Sequence, residues 1–230
     1  MAVPASKEVT SPRVFLHLTK TAGGTLKAAL SEAPSLAVGF LYSSDDRRQL
    51  IESGMKGLDL IYGHTLFGVD DELGLHPETK YMCFMRHPVT RTISHYYHLR
   101  NVEKGPVGEK IRQSRNINHF FAEYHHWEFS NFMSKVISGL GRQSPTEGIS
   151  TLQMAVENIE ARFEFIGFQE HFLLSMRALS ARLGVPLSLK TEVNRGRYDL
   201  SDISEATIEK IERLNRVDMK LYKYCLKRFL

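Results

Sequence analysis

Three features of the sequence predict an α/β protein with three layers, a central parallel sheet and a helix-rich second half. Short apolar runs of strand length occur at Val14–Leu18, Leu58–Tyr62, Lys80–Met85 and Phe165–Phe168. They are continuous rather than alternating, as in strands buried on both faces. Segments of helical period separate them, and the first three lead into polar groups: Thr19-Lys20, Gly63-His64 and Arg86-His87. Alternating strands and helices of this kind build a sheet with helices on both sides.

Residues 1–12 carry Pro4 and Pro12 among small polar residues with no hydrophobic period, and read as a loose arm before one domain spanning 13–230. Val14-Phe15-Leu16-His17-Leu18 is the first strand. Thr19–Gly24 is a turn, and Thr25 opens a helix that runs through Leu30. Ser44–Glu52 is a helix capped by Ser43 or Ser44, with Asp45 and Asp46 in the first turn, where the helix dipole favours negative charge. Pro88 suits the first turn of a helix that continues over Val89–Asn101. Asn116–Leu140 is rich in aromatic residues and His, and reads as mostly helical. Leu152, Ala155, Val156, Ile159 and Phe163 have the spacing of one amphipathic helix over 149–163. After the strand Phe165–Phe168, a helix over Gln169–Leu183 is ended by Gly184 and Pro186. A polar, basic loop fills 188–201, and Ser204–Leu230 is helical in two pieces.

Composition narrows the function classes. Of 230 residues, 42% are hydrophobic and 24% charged, and 16 Gly with 8 Pro are too few for a fibrous or low-complexity chain. No apolar run approaches the ~20 residues that span a bilayer, and the opening MAVPASKEVTSPR lacks the apolar segment of a secretory signal, so the expected location is cytoplasmic. Cys83 and Cys225 form neither a disulfide framework nor a CxxC pair, and are expected as buried, reduced thiols. Thirty Lys+Arg against 26 Asp+Glu give a formal charge of +4. The basic residues are dispersed, which suits an anionic ligand without implying nucleic acid.

Two segments carry candidate chemistry. Lys20-Thr21-Ala22-Gly23-Gly24-Thr25 lies between a strand and a helix. Its glycines let the backbone wrap an anion, the helix start offers N–H groups, Lys20 adds a mobile cation, and Thr21 and Thr25 add hydroxyls. The alternative is an ordinary strand-to-helix turn. It is not a Walker A loop, because the lysine precedes the glycines and no Gly-Lys-Ser/Thr triplet follows. The second segment places Arg86 at a strand's carboxyl end, where open α/β sheets bind ligands. Arg91 follows, and Ser94 would lie about 9 Å along a helix that begins at Pro88. A guanidinium and a hydroxyl could grip one phosphate there, or Arg86 and Arg91 could make structural ion pairs.

Together these segments are specific. Phe15-Leu16-His17-Leu18-Thr19-Lys20-Thr21-Ala22-Gly23-Gly24-Thr25-Leu26 resembles the 5′-phosphosulfate loop of the sulfotransferases, above all the branch that includes the heparan sulfate 2-O-sulfotransferases. Phe84-Met85-Arg86-His87-Pro88-Val89-Thr90-Arg91-Thr92-Ile93-Ser94-His95-Tyr96-Tyr97 resembles the 3′-phosphate motif of that family. Weaker matches follow at Tyr62-Gly63-His64 with Phe67-Gly68, Asn131 with Gly139, Ile166-Gly167 with Glu170 and Phe172, Asn194, and Asp218 with Leu221-Tyr222. Thr19 stands where the family usually has proline, Ala22 where it has Gly or another small residue, and His87 where an acidic residue is common.

The resemblance implies a P-loop nucleotide-kinase-like fold and transfer of a sulfuryl group from 3′-phosphoadenosine 5′-phosphosulfate to an acceptor hydroxyl, with 3′-phosphoadenosine 5′-phosphate as product and no metal. Lys20 would neutralise the leaving oxygen. Thr21, Ala22, Gly23, Gly24, Thr25 and Leu26 would cradle the 5′ end, and Arg86 with Ser94 would hold the 3′-phosphate. His64 follows an apolar strand, has an ordinary pKa of ~6.5 suited to proton transfer, and matches the branch's base; otherwise it is a histidine that only supports a loop. The acceptor implied is a carbohydrate or glycoconjugate, with a lipid or small metabolite as alternatives. By position, Arg195 and Arg197 would close over the donor, or lie in a solvated basic loop. His119, His125, His126 and Trp127 form a further cluster: on one continuous helix 119 and 126 would share a face, which invites a metal, while an acceptor cleft or plain core packing also fits. A nucleotide kinase and a non-catalytic nucleotide-binding protein are the competing classes.

Overall fold

Arg13–Leu16 (β1), Val38–Leu41 (β2), Leu60–Gly63 (β3), Tyr81–Met85 (β4) and Phe163–Phe168 (β5) lie side by side in the order β2-β3-β1-β4-β5, every neighbouring pair parallel. The computed structural model of the chain describes residues 11–102, 105–143, 149–188 and 201–230. The helices of the first half are Gly23–Ser31 (α1), Ser44–Ser53 (α2), Val69–Leu73 (α3), Pro88–Val102 (α4), Pro106–Gln113 (α5) and Ile117–Glu123 (α6). Those of the second are Phe132–Ile137 (α7), Ile149–Arg162 (α8), Phe172–Leu183 (α9), Glu205–Leu214 (α10) and Arg216–Phe229 (α11). The predicted three-layer α/β architecture with a parallel sheet is what forms.

Alternate residues of each strand face opposite layers. Val14, Leu16, Ile61, Cys83 and Met85 join one core with residues of α7, α8 and α11. Phe15, Tyr62, Met82 and Phe84 join another with α1 and α9. A third apolar cluster, from Ile93, Tyr96, Phe120, Phe121, Phe129 and Ile211, binds α4, α6 and α10 together outside the sheet. Both cysteines are free and buried, as expected.

Register decides where a ligand can sit. Leu16 is level with Gly63 on one side and Cys83 on the other, so β1, β3 and β4 deliver the segments that follow them to the same edge. β1 is also where the order reverses, with β3 and β2 to one side and β4 and β5 to the other. That is the switch point at which open α/β sheets form their crevice.

Several boundaries differ from the sequence reading. β2, α3 and α5 are not legible in it: β2 is a four-residue edge strand interrupted by Gly39, and α3 has only five residues, too short to display a period. β1 ends at Leu16, although His17 N–H still donates to the Gly63 carbonyl at 2.8 Å. α1 begins at Gly23, two residues early, because Ala22 adopts a left-handed conformation at φ 68°. The stretch expected to be mostly helical over 116–140 is broken: α6 ends at Glu123, a single 3-10 turn spans Trp127–Phe129, and Asn131 is left-handed at φ 48°. Ser43 is the cap of α2, with Asp46 completing a reciprocal capping box.

A buried polar joint ties α7 to α11. The Asp218 carboxylate accepts from Met133 N–H, Ser134 N–H and the Ser134 hydroxyl. Asn131 Oδ1 accepts from Val217 and Asp218 N–H, and Asn215 Oδ1 accepts from Asn131 N–H. Burial pushes the Asp218 carboxyl upward, and the Ser134 and Met133 donors oppose it.

Candidate active site

The two motif segments meet. Arg86 Nη1 donates to the Lys20 carbonyl at 3.3 Å, and Arg86 Nε donates to Thr90 Oγ1 at 3.2 Å. Arg91 donates from Nε to the Thr19 carbonyl at 3.3 Å and from Nη2 to Thr19 Oγ1 at 2.7 Å. Its Nη1 donates to the Glu128 carbonyl, and its guanidinium lies 4.1 Å from the centre of the Phe132 ring. Arg91 is fully buried, and burial lowers its pKa to about 10 while Asp218 and Glu128 pull the other way. Of the two readings open for these arginines, Arg91 is a structural clamp, though its partners are carbonyls and a hydroxyl rather than an ion-pair carboxylate.

Within the loop, Lys20 is left-handed at φ 70°, an unusual conformation for a residue with a Cβ. Burial lowers its pKa, and the charges of Arg86 and Arg91 lower it further. Among the described residues it makes no ion pair. The N-cap of α1, Ala22, offers no side-chain cap, so the first-turn N–H groups lack the protein partner a Ser or Asp would supply. Gly23 is required by close approach: a Cβ there would fall 1.5 Å from His17 Nε2. At Gly24 a Cβ would meet nothing within 4 Å.

Two predicted contributions are corrected. The Thr21 hydroxyl is not available to an anion, because it is buried and donates to the Leu18 carbonyl at 2.7 Å. Leu26 is a core residue, 1% exposed, and its N–H already closes on the Ala22 carbonyl at 3.1 Å. Thr25 keeps a half-buried side chain on the first turn of α1. Ser94 is buried on α4, three residues after Arg91, whose guanidinium holds Thr19. Residues three or four apart share a helix face, so Ser94 lies on the side of α4 from which Arg91 reaches the loop. The N–H of His87 donates to Glu170 Oε1 at 2.8 Å, and Glu170 Oε2 accepts from Tyr222 Oη at 2.9 Å. Arg195 and Arg197 lie outside the described residues.

His64 follows β3 on the other flank. Its ring is 4.4 Å from that of His17 and 4.9 Å from that of Tyr42, centre to centre. The ring is open to solvent at one side, yet crowding by these neighbours lowers its pKa; the Glu128 charge raises it and His98 lowers it. His17 stacks on Tyr62 and shares a 3.0 Å hydrogen bond between Nδ1 and Tyr42 Oη. Burial, then His64 and the nearby lysines, bring its pKa down to about 3, so it is neutral at pH 7. Tyr62 Oη donates to the Gly23 carbonyl at 3.0 Å, which ties this flank back to the loop. A groove of about 270 Å³ opens beside His64, lined by Leu41, Tyr42, Ser43, Ser44 and Arg47. None of these lining residues comes from the aromatic stretch 116–140, where the sequence suggests an acceptor cleft.

His17, Tyr42, Tyr62 and Glu128 are given no role by sequence reasoning, although Tyr62 stands in the quoted Tyr62-Gly63-His64 match. For His17 a signal exists, since it lies within the loop motif itself; Glu128 has none. The metal reading of His119 and His126 loses its premise, because α6 ends between them. His119 Nε2 faces Glu123 at 3.4 Å. Among the described residues no group of three His, Cys, Asp or Glu is placed to hold a metal. Phe120, Phe121 and Phe129 are core, while Trp127 is half-buried under Arg142.

No protein-family model matches the chain, and no curated protein matches it. Among solved structures, it is similar to a sulfotransferase from Alicyclobacillus acidocaldarius, at 14% identity and a TM-score of 0.45, covering 92% of this chain and 98% of that one. It is also similar to mouse sulfotransferase SULT7A1 complexed with PAP, at 13% identity and a TM-score of 0.45, covering 91% of this chain and 66% of that one. At this distance neither chain's chemistry transfers to this one. No helix among the described residues is long and apolar enough to cross a membrane.

Proposed function

We propose that the protein is a sulfotransferase that moves a sulfuryl group from 3′-phosphoadenosine 5′-phosphosulfate to an acceptor hydroxyl. One observation carries the reading: the Lys20 loop and the Arg86 segment, 66 residues apart, touch at the crevice edge of the sheet. Two anion-binding segments joined this way suit a ligand with charge at both ends, which a lone phosphate loop would not require.

The donor supplies the sulfuryl group and carries the leaving phosphate. Lys20, with the first-turn N–H groups of α1, faces charge that grows on that phosphate, and preorganised donors of this kind are the largest catalytic factor in such displacements. Arg86 and Ser94 hold the 3′-phosphate. His64 takes the proton of the acceptor hydroxyl: its lowered pKa keeps it unprotonated at neutral pH. The groove beside it, with the Tyr42 ring, two serines and Arg47, suits a carbohydrate or glycoconjugate better than an apolar chain. The scheme routes no step through a metal.

Calorimetry with 3′-phosphoadenosine 5′-phosphate, set against adenosine 5′-phosphate, tests the donor assignment. The doubly phosphorylated nucleotide should bind more tightly, and Arg86→Ala should erase that preference, a loss of about ten- to hundredfold. Equal binding of the two nucleotides would reject it. Lys20→Ala should retain binding within about tenfold but lower turnover by about 10²–10³, read as nucleotide release in the presence of candidate acceptors.

A further inference from the structure

The ring of His64 makes no hydrogen bond among the described residues, so packing alone has to orient it. Two other rings flank it: His17, 4.4 Å away and tilted by 40°, and Tyr42, 4.9 Å away and steeply inclined at 76°. Two walls at different angles fix the plane of a ring in a way that one wall does not. These walls are joined to each other by the 3.0 Å hydrogen bond between His17 Nδ1 and Tyr42 Oη. His17 is fixed on its remaining sides as well. Its main-chain N–H donates to the carbonyl of Gly63, the residue before His64, at 2.8 Å. Its face stacks on Tyr62 at 5.1 Å and 22°, and its Nε2 fills the space beside Gly23 that a Cβ would need. Tyr62 Oη closes the circuit on the Gly23 carbonyl. A single imidazole therefore spans the gap from the first residue of α1, in the Lys20 loop, to the ring of His64.

We propose that His17, tied to Tyr42, is the positioning residue for His64: it holds the imidazole of the base at a set distance and angle from the Lys20 loop, so that the acceptor hydroxyl loses its proton beside the donor. The role rests on the sulfotransferase reading. In the step, the acceptor O–H bond breaks and its proton goes to a ring nitrogen of His64. The acceptor oxygen bonds to sulfur, and the bond from sulfur to the nucleotide breaks with its electron pair leaving on the 5′-phosphate. His64 then returns its proton to solvent. Geometry of this kind is demanding, since a misplacement of about 1 Å can cost about a hundredfold in rate. His17 does not compete for the proton: burial, with the charges of His64, Lys27 and Lys20, holds its pKa at about 3. Burial raises the Tyr42 phenol to about 12, so it keeps its own proton. The other charged or titratable groups around His64 are Arg47, which lines the groove and is paired with Glu72, and Glu128 and His98, whose charges it feels in opposite senses.

The test uses the full chain. Without nucleotide or acceptor, the His64 ring proton, assigned by its loss in His64→Gln, is titrated by NMR in the unmodified protein, in His17→Ala and in Tyr42→Phe. Removing the His17 wall admits water to the ring, so in His17→Ala the midpoint should rise by about half a pH unit toward the ordinary histidine value. In Tyr42→Phe, which keeps both rings, it should stay near that of the unmodified protein. In turnover, His17→Ala should lower kcat about thirtyfold and move the acidic limb of the pH profile upward by the same half unit, with affinity for 3′-phosphoadenosine 5′-phosphate within about threefold. Tyr42→Phe should lower kcat about threefold alone and not at all in the His17→Ala chain, because the bond it deletes is already gone. A His64 midpoint or a kcat that is unchanged in folded His17→Ala overturns the proposal. So does a Tyr42→Phe loss that multiplies with that of His17→Ala, or a kcat loss matched by an equal loss of nucleotide affinity, which would assign His17 to the loop alone. His17→Asn, which keeps a polar atom near the place of Nδ1 but has no ring, is read in the same way if His17→Ala does not fold. A midpoint that rises, in a protein whose unmodified form releases no nucleotide with any acceptor, supports the packing of His64 by His17 and overturns the sulfotransferase reading instead.

Discussion

Arg86 and Arg91 stand five residues apart in one motif and both reach the Lys20 loop, yet their surroundings assign them different work. Arg91 is fully buried, spends its donors on Thr19 and Glu128, and lies against Phe132. Arg86 is only partly buried, at the carboxyl end of β4 where the crevice opens. A guanidinium whose fork is used up on carbonyls holds the protein to itself, and one at the crevice edge can turn to a ligand. The wider contrast is between the two flanks of the loop. Toward α4 it is held by buried cationic hydrogen bonds, and toward β3 by the rings of His17, Tyr42 and Tyr62.

The contrast predicts that Arg91→Ala and Arg86→Ala part company. Arg91→Ala leaves the Thr19 and Glu128 carbonyls unpaired beside a cavity, and should lower stability by about 3 kcal/mol in denaturant melts. Arg86→Ala should move the melt by less than about 1 kcal/mol while nucleotide affinity falls. If the two variants lost stability equally, the division of labour would be wrong. The ring side can be broken at Gly23: Gly23→Ala drives a methyl into the His17 ring and should destabilise by about 1–3 kcal/mol, with His17→Ala in the same chain recovering part of the loss.

Acid should act on both flanks. His17 and His95 are held below their ordinary pKa, at about 3 and about 4. The unfolded chain therefore binds a proton at each while the folded one does not, as pH falls from about 6.5 toward those values. Stability contributed by these groups is complete above about 6.5 and declines across that window. His17→Gln should remove close to one proton from the slope, measured as the pH dependence of the unfolding free energy; an unchanged slope would mean that His17 is already charged when folded. The smallest effect belongs to Gly24→Ala, which should change stability by less than about 0.5 kcal/mol but weaken nucleotide binding, because only a ligand would meet the added methyl. Full affinity in that variant would move the nucleotide off the loop.

Much of the frame is legible in the chain. The buried strands read directly, since continuous apolar runs of strand length between helical periods are what a sheet covered on both faces demands. The loop and the Arg86 segment are legible because each packs its chemistry into consecutive residues. What escapes is assembled from distant positions. Thr21 reads as a ligand hydroxyl until its bond to Leu18 is seen, and Leu26 as part of the cradle until its side chain is placed in the core. Glu128 comes to the crevice only because the expected helix over 116–140 breaks at Tyr124, a tertiary outcome that local propensity does not encode. Two of the weaker motif matches prove to be joints: Glu170 with Tyr222 supports His87, and Asn131 with Asp218 joins α7 to α11. Asn194 lies outside the described residues.

That last joint has an implication for biosynthesis. Asp218 and Asn215 emerge from the ribosome 84 or more residues after the turn around Asn131 that they complete. Until they arrive, the amides of Met133 and Ser134 have no carboxylate to bind, and the segment carrying Glu128 is anchored from one end only. A nascent chain stalled before those residues would therefore own its sheet and its Lys20 loop but not the seam that fastens the last helix to the middle of the chain, leaving an intermediate folded at one end only.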